Sequence, residues 1–384
     1  MPILGTGERR ANIVKVGIPT EVKNNESRVA ATPAGVHELV RHGHDVLVQA
    51  GAGAASRIPD EAFRDAGARI ADTADEVWAE GELILKVKEP IEEEFGRLRS
   101  GQTLFTYLHL AASRPTADAL LAAGTTAIAY ETVRLANGSL PLLAPMSEVA
   151  GRLSIQVGGY HLMSSMGGRG TLLGGVPGTR PAKVVVIGGG VAGENAAANA
   201  VGMGADVVII DISLPRLREL EIQFGGRVRT AVSSTYEIAD HVAGADLVIG
   251  SVLIPGARAP KLVTEEMVSG MKAGSVLVDI AIDQGGCFEG SHPTTHDDPT
   301  FPVHDSLYYC VANMPGAVPE TSTRALTNAT LPYLLRLADR GWREALQGDP
   351  ALAGGLTTHA GAVTNPEVAA ALGLDLAPVS QVLA

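Results

Sequence analysis

The 384-residue sequence lacks several features that define common protein classes. It has only two cysteines, Cys287 and Cys310, so a disulfide framework is excluded and reduced thiols are expected. No stretch approaches the roughly 18 apolar residues of a membrane span, and the N-terminal MPILGTGERR lacks the apolar run of a signal peptide. We therefore expect a soluble, cytoplasmic protein without a membrane partner.

Clustered positive charge is also missing. The formal net charge is −12, and binding to nucleic-acid phosphates needs grouped lysine and arginine, so no nucleic-acid partner is expected. Aromatic residues are only 4% of the chain, but hydrophobic residues in total are 46%, enough for sizeable cores. The 45 glycines favour an α/β protein with many tight turns. The length predicts two domains.

Short apolar runs rich in β-branched residues alternate with helical patterns along the chain. The first series is VKVGIP, DVLVQA, LILKVK, TLFTYL and TAIAYE, interrupted by helical patterns such as Pro33–His42, Asp60–Ala66 and Pro115–Ala123. A long helical pattern and a glycine-rich loop lead to a second series, KVVVIGG, DVVIIDI, ADLVIGSV, SVLVDIAI and LYYCVAN. This alternation predicts βαβ units, hence two doubly wound α/β domains joined by long helices with a cleft between them.

A dinucleotide-binding pattern opens the second series. The stretch VVVIGGGVAGENAAANAVGMGADVVIID contains G-x-G-x-x-G at Gly188, Gly190 and Gly193. The bare pattern is weak, but here an apolar strand precedes it, an alanine-rich helix follows, and a second apolar strand ends in Asp211. Glycines allow close approach to a pyrophosphate, which the helix N-terminus attracts. A glycine-rich turn with a solvated aspartate is the alternative.

The acidic residue at the end of the second strand predicts which cofactor binds. Asp211 would accept hydrogen bonds from the adenine ribose hydroxyls, and its charge would repel a 2′-phosphate. The sequence therefore predicts NAD rather than NADP.

Four ionisable residues lie where apolar runs end or turn: Arg28, Lys88, His109 and Asp283. Each has an ordinary alternative: a helix-flanking arginine, a lysine that reaches solvent, a hydrogen-bonded core histidine and a turn aspartate. Together, two cations, an imidazole and a carboxylate suit a carboxylate substrate and acid/base chemistry. Strand alternation also predicts that Lys86 points the same way as Lys88.

The stretch SHPTTHDDP offers a conceivable metal site with His292, His296, Asp297 and Asp298. Pro293 and the threonine pair favour a loop instead, and no metal is expected there.

At these residues the chain resembles the alanine dehydrogenase family. The resemblance extends from about Val14 to the C-terminus and is carried by the phrases VGIPTEVKNNESRVA, LKVKEP, YLHLA, YETV, LAPMSEVAGR, GGVPG, VDIAIDQGGC and VANMPGAVP. It implies the reaction of L-alanine, NAD⁺ and water to pyruvate, ammonium and NADH. It also implies a homohexamer.

The resemblance implies roles for individual residues. Pyruvate is recognised by Arg28 and Lys88, His109 and Asp283 are the catalytic acid/base pair, and Asn313 faces substrate and nicotinamide. Lys86 is then a structural or solvated charge. The cofactor-binding positions implied are Ser147, Gly188, Gly190, Val191, Ala192, Gly193, Asp211, Arg216, Ser233, Val252, Leu253, Ile280, Ala281, Ile282, Val311 and Met314.

The resemblance also gives the domain plan. A discontinuous substrate domain is expected at 14–141 plus 319–384, a Rossmann NAD-binding domain at 142–318, and an N-terminal extension at 1–13. Some relatives bind magnesium through Glu and His where this chain has Arg336 and Arg340, so no metal is expected there. Some relatives carry arginine in place of His292.

Two alternative functions stay open at this point. The chain could be the NAD(H)-binding component of a proton-pumping transhydrogenase, although Lys88 and His109 favour the dehydrogenase. It could also be a catalytically silent NAD-binding sensor.

Overall fold

The computed structural model describes residues 13–252 and 259–384. The strands are β1 (Lys15–Ile18), β2 (Asp45–Gln49), β3 (Arg69–Ala71), β4 (Leu83–Leu85), β5 (Thr103–Thr106), β6 (Thr126–Ala129), β7 (Lys183–Ile187), β8 (Asp206–Asp211), β9 (Val228–Val232), β10 (Leu247–Gly250), β11 (Val276–Asp279), β12 (Thr300–Val303), β13 (Ser306–Tyr309), β14 (Leu356–His359) and β15 (Ala362–Val363).

Helices connect most of these strands. They are α1 (Pro33–Arg41), α2 (Asp60–Asp65), α3 (Ala74–Glu80), α4 (Glu92–Phe95), α5 (Arg114–Ala123), α6 (Ala144–His161), α7 (Val191–Gly202), α8 (Leu214–Phe224), α9 (Thr235–Ala243), α10 (Glu265–Ser269), α11 (Pro319–Gly348), α12 (Pro350–Ala353), α13 (Pro366–Leu372) and α14 (Val379–Leu383). Within the described ranges, no helix combines the length and apolar character needed to cross a membrane.

The chain divides into two compact units. Unit 1 is Met1–Pro145 with Val318–Ala384, and unit 2 is Met146–Ala317. The chain passes from unit 1 to unit 2 within α6 and returns just before α11. Each unit is built on one sheet with helices between its parallel strands, so the predicted fold class of two doubly wound α/β domains is confirmed.

The sheet of unit 1 has eight strands in the order β15-β14-β6-β5-β4-β1-β2-β3. Strands β1 to β6 run parallel, and β14 pairs antiparallel with β6. Strands β5 and β6 are buried along their whole length, which explains why their sequences are continuous apolar or threonine-rich runs rather than alternating ones. The order reverses between β1 and β4, so the carboxyl ends of these strands form a switch point of the kind that binds ligands.

The sheet of unit 2 has seven strands in the order β12-β13-β11-β10-β7-β8-β9. All pairs are parallel except β12 with β13. Val185, Val208, Val248 and Leu277, one from each of four central strands, have no exposed surface and lie in one core cluster. Here the order reverses between β10 and β7, which places the glycine-rich loop after β7 at the switch point.

Local sequence signals explain where several helices begin and end. Thr32, Ser213 and Ser234 each accept a backbone N–H of the first turn with their hydroxyl oxygen, which satisfies a donor that the helix itself cannot. Gly124 and Gly225 end α5 and α8 in the left-handed conformation. The long helix α11 is two helices joined at a kink, because Gly341 has φ 73°.

Candidate functional site

The candidate site residues of unit 1 all follow the carboxyl ends of parallel strands. Arg28 lies in the loop after β1, Lys88 three residues after β4, and His109 three residues after β5. Because parallel strands end at the same edge of a sheet, the fold brings three segments that are distant in sequence to one edge of unit 1.

The two lysines of LKVKEP have different environments. β4 ends at Leu85, but Lys86 still donates its main-chain N–H to the Phe105 carbonyl of β5 at 3.3 Å, and Val87 between the two lysines is fully buried. That Lys86 and Lys88 point the same way stays a prediction. The Lys86 ammonium lies 3.1 Å from Glu21 and 2.8 Å from Glu94. Burial opposes its charge, but the two carboxylates raise the pKa of Lys86 above its usual value. Lys86 is therefore a structural charge, not a solvated one.

Lys88 is 8% exposed, so most of its side chain is buried. Its main-chain N–H donates to Glu21 at 3.4 Å, and its carbonyl accepts from the Thr106 hydroxyl at 3.0 Å. Among the residues that the structure describes, its ammonium has no hydrogen bond or ion pair. A cation on a mostly buried side chain that has no protein anion favours binding of an anion.

Arg28 is 2% exposed, which rules out the alternative of a surface arginine. Glu26 accepts its Nε–H at 2.6 Å and also its Nη2–H, in a two-pronged ion pair. Burial opposes the charge, but the Glu26 hydrogen bond raises the pKa of Arg28. Its main-chain N–H donates to Glu26 as well, at 3.0 Å.

His109 is exposed and has φ 47°, in the left-handed region that non-glycine residues rarely adopt. The alternative of a hydrogen-bonded core histidine is therefore wrong. Its main-chain N–H donates to Glu131 at 2.7 Å, and the N–H of Leu108 donates to the same carboxylate at 3.2 Å. The imidazole is stacked on Tyr107, with ring centroids 5.9 Å apart. The ring is thus accessible on a loop whose backbone is fixed.

The glycine-rich loop of unit 2 requires glycine for steric reasons. A Cβ on Gly193 would lie 1.8 Å from the Gly188 carbonyl oxygen, and one on Gly188, at φ 100°, would lie 3.0 Å from the backbone of Ser251. A Cβ on Gly190 would meet nothing within 4 Å. The first and third glycines therefore pack strand, loop and helix together, while the second faces open space. No side chain caps α7, whose first residues include Val191 and Ala192.

Asp211 ends β8 beside this loop. Its carboxylate accepts the N–H of Gly189 at 2.7 Å and the N–H of Ser213 at 2.8 Å. Arg216, in the first turn of α8, donates from Nε to the Gly189 carbonyl and pairs with two acidic side chains, Glu194 and Glu219. Both predicted residues thus contact the loop, and the guanidinium is already paired with carboxylates.

Asp283 is exposed on a short 3-10 helix, Ile280–Gln284, that follows β11. The last residue of β11, Asp279, is fully buried and accepts the N–H groups of Ala281 at 3.2 Å and Cys287 at 2.8 Å, as well as the Ser291 hydroxyl. Burial raises the pKa of Asp279 despite these donors. In VDIAID, the buried Asp279 therefore stabilises the turn through its hydrogen bonds, whereas Asp283 is exposed on that turn.

The remaining predicted cofactor residues lie in unit 2 as follows. Ser233 follows β9 and donates its N–H to the Asp211 carbonyl at 2.9 Å, and Val252 follows β10. Ser147 is a half-buried residue of α6. Asn313 has φ 63° and lies between the buried residues Val311 and Met314 after β13. Ile280, Ala281 and Ile282 belong to the turn before Asp283. Leu253 lies outside the described residues.

Within residues 13–252 and 259–384, no group of three or more His, Cys, Asp or Glu residues is arranged to hold a metal ion. His292 is stacked on Phe301 with centroids 3.8 Å apart, and Arg336 pairs with Asp349. Cys287 and Cys310 are free and buried, and burial raises the pKa of each thiol to about 12.

Sequence reasoning missed Glu21, Glu131 and Asp279. Each is an acidic residue at or after a buried strand, in the phrases PTEVK, YETV and VDIAID. The signal available in the sequence was an acidic residue at a predicted buried strand end. A carboxylate in that place needs hydrogen-bond donors, so it is expected to bind nearby N–H groups.

The two sheets and the glycine-rich loop define the class: a two-unit α/β protein whose second unit has a glycine loop of the kind that binds nucleotides. Family models match almost the whole chain: Alanine dehydrogenase/PNT, N-terminal domain at residues 17–150 and Alanine dehydrogenase/PNT, C-terminal domain at residues 154–366. The chain belongs to the alanine dehydrogenase/PNT family.

Individual relatives agree with this assignment. The chain is 65% identical to an alanine dehydrogenase of Mycolicibacterium smegmatis over 369 residues, which cover 96% of this chain and 100% of that one. A solved L-alanine dehydrogenase structure, 50% identical, superposes with a TM-score of 0.90 over 94% of this chain and 99% of that one. A transhydrogenase structure from Sinorhizobium meliloti is 29% identical, with a TM-score of 0.77 over 92% and 99%.

Proposed function

We propose that this protein is an NAD-dependent L-alanine dehydrogenase, which interconverts L-alanine, NAD⁺ and water with pyruvate, ammonium and NADH. The full-length similarity to alanine dehydrogenases supports an amino-acid dehydrogenase that acts on small molecules. Unit 1 is proposed as the substrate domain and unit 2 as the NAD-binding domain. The observation that carries the substrate assignment is the environment of Lys88.

Two buried lysines two residues apart provide an internal comparison. Lys86 has two carboxylates within 3.1 Å, whereas the Lys88 ammonium has no anion among the described residues. Burial without a partner is the expected condition of a cation whose partner is the substrate. With Arg28 after the neighbouring strand, Lys88 would bind the carboxylate and carbonyl oxygens of pyruvate.

The residues of unit 2 fit a dinucleotide. Gly190 leaves open space, and α7 begins without a side-chain cap, so its first N–H groups and its positive dipole end suit a pyrophosphate. The Asp211 carboxylate suits ribose hydroxyls rather than a 2′-phosphate. When bound, NAD⁺ supplies the hydride acceptor for the Cα hydrogen of alanine.

The residues of this chain have the following proposed roles. Arg28 and Lys88 hold the substrate carboxylate, orient Cα, and stabilise negative charge that develops on oxygen. Asp283 orients the water that attacks the imine carbon. His109 exchanges protons with the substrate oxygen as the carbinolamine forms and collapses to pyruvate and ammonia. The accessibility of His109 and Asp283 on fixed turns supports these roles, and Asn313 is proposed to face the substrate and nicotinamide.

The test is NADH formation, followed at 340 nm, on addition of L-alanine and NAD⁺ at alkaline pH, with the reverse reaction from pyruvate, ammonium and NADH. NADH binding is measured in parallel by fluorescence. Binding without alanine-dependent turnover would contradict the proposal and favour the transhydrogenase component or the silent sensor.

Assembly and location are further parts of the proposal. A homohexamer in the cytoplasm, without a resident metal, is proposed from the family resemblance. Light scattering coupled to size-exclusion chromatography tests the hexamer, and a protomer or dimer mass at micromolar concentration would contradict it.

A further inference from the structure

One feature is common to the three proposed substrate residues of unit 1. The main-chain N–H of Arg28 donates to Glu26 at 3.0 Å, that of Lys88 to Glu21 at 3.4 Å, and that of His109 to Glu131 at 2.7 Å. Lys88 and His109 lie three residues beyond the ends of β4 and β5, and Arg28 lies in the loop after β1. A glutamate carboxylate accepts the main-chain N–H in every case.

The Glu21 carboxylate fixes the backbone that carries Lys88. One oxygen accepts the N–H of Val87 at 2.5 Å, and the other accepts the N–H of Lys88 and the ammonium of Lys86. Lys86 is in turn fixed by Glu94, whose carboxylate also accepts the N–H of Ile91 at 3.1 Å. A carboxylate can accept several donors at once, so this arrangement satisfies buried amides without using the Lys88 ammonium.

The Glu131 carboxylate fixes the backbone that carries His109. It accepts the N–H groups of two successive residues, Leu108 and His109, from the turn Tyr130–Thr132 after β6. Those bonds stabilise the left-handed conformation of His109, which on its own costs about 1–2 kcal/mol. Without them the loop would relax and the imidazole would move.

We propose that Glu21 and Glu131 are positioning residues of the dehydrogenase: through main-chain amides, Glu21 orients Lys88 for substrate binding and Glu131 orients His109 for proton transfer. This inference rests on the proposed function. Glu26 shares the pattern, but it also pairs with the Arg28 guanidinium, so its two contributions are not separable by substitution.

The test separates the reach of the carboxylate from its charge. Glu131→Asp keeps the charge but shortens the side chain, and Glu131→Gln keeps the length and one acceptor oxygen. Displacing a reacting group by about 1 Å can cost on the order of 100-fold in rate. We expect Glu131→Asp to lower kcat about 10–100-fold with an almost unchanged KM for pyruvate, and Glu131→Gln to stay within about fivefold of wild type.

Glu21 should respond differently, because it acts through a binding residue. Glu21→Asp should raise KM for pyruvate about 10-fold and affect kcat less. Thr106→Val, nearly isosteric and lacking the hydroxyl that donates to the Lys88 carbonyl, should act in the same direction if Glu21→Asp does not fold. Glu61→Asp, an exposed glutamate of α2, is the matched control and should change neither constant.

The outcomes distinguish this inference from the proposed function. An inactive wild type contradicts the proposed function, and calorimetric binding of pyruvate to the NADH complex then still tests Glu21 without turnover. With an active wild type, an unchanged kcat for Glu131→Asp, an equal loss in the Asp and Gln variants, or an unchanged KM for both Glu21→Asp and Thr106→Val would overturn the inference.

Discussion

In both units the proposed binding residues lie at the carboxyl ends of parallel strands, but the two edges are built by different chemistry. In unit 1 the edge consists of charged side chains whose backbone is fixed by glutamates from other segments, as Glu21 fixes Lys88 and Glu131 fixes His109. In unit 2 the part of the edge at the start of α7 consists of backbone, and glycine at 188 and 193 removes side chains that would collide. The ionic contacts of unit 1 join segments distant in sequence, whereas the glycine pattern of unit 2 lies within six consecutive residues, 188–193.

The largest effect should come from removing the imidazole of unit 1. His109→Ala should lower kcat about 10²–10⁴-fold, the usual range for a lost acid/base group. NADH binding should stay near wild type, because the glycine loop of unit 2 is untouched. The measurements are kcat with pyruvate and a fluorescence titration with NADH. A wild-type rate would mean that His109 takes no part in the chemistry.

The neighbouring lysines give the second prediction, because removing the charge of each should have a different consequence. Lys88→Ala should lower kcat/KM for pyruvate about 10²–10³-fold, the loss of a charged contact to the reacting substrate, with NADH binding and melting temperature almost unchanged. Lys86→Met should instead lower the free energy of unfolding by about 3–5 kcal/mol, because Glu21 and Glu94 lose their buried cation.

Kinetics and urea unfolding of both variants measure this contrast. Unchanged kcat/KM in Lys88→Ala would remove the substrate assignment. Unchanged stability in Lys86→Met would show that the ion pairs of Lys86 with Glu21 and Glu94 do not stabilise the fold.

The third prediction concerns unit 2 and cofactor choice. Asp211→Gly removes a carboxylate that would repel a 2′-phosphate, and should raise kcat/KM with NADP about 10–100-fold while weakening NAD modestly. Arg216 is engaged with Glu194 and Glu219, so it is not immediately available to the phosphate. Adding Glu194→Gln should therefore increase NADP use further, by about fivefold, the equivalent of about 1 kcal/mol.

The comparison to make is kcat/KM for both cofactors in the wild type, the single variant and the double variant. Equal use of NAD and NADP by the wild type would rule out Asp211 as the discriminator. No gain from Glu194→Gln would mean that the Arg216 pairs are too weak to matter.

The difference between the two units also explains which features of the fold and the candidate site could be predicted from the sequence. The fold class followed from alternating strands and helices, and the glycine loop followed from a local pattern whose steric basis the structure confirms at Gly188 and Gly193. The ion pair of Lys86 with Glu21 could not be predicted, because the two residues are 65 positions apart and meet only in the folded sheet. Glu131 could not be predicted as the partner of His109, because their contact depends on β5 and β6 being neighbours in the sheet.

The smallest effect is expected at a carboxylate of unit 1 far along the chain from the candidate site. Asp339 of α11 accepts hydrogen bonds from His42 at 3.0 Å and His44 at 3.0 Å. Burial opposes its ionisation, but the two histidine hydrogen bonds lower the pKa of Asp339 below its usual 3.8. A carboxyl group whose pKa is lower in the folded state contributes stability above its unfolded pKa, and this contribution is lost as pH falls through the folded pKa.

Asp339→Asn should therefore be less stable than wild type at pH 6–7, by less than about 1 kcal/mol because the side chain is 38% exposed and screened by solvent. The difference should shrink as pH falls below about 4, where the carboxylate is protonated first in the unfolded chain and, at lower pH, in the folded protein. Urea unfolding of both proteins at pH 7 and from pH 5 to pH 3 measures it. A difference that grows between pH 5 and pH 3 would contradict the sign of the pKa shift, and one that stays constant over that range would mean that Asp339 contributes only through hydrogen bonds that asparagine cannot replace.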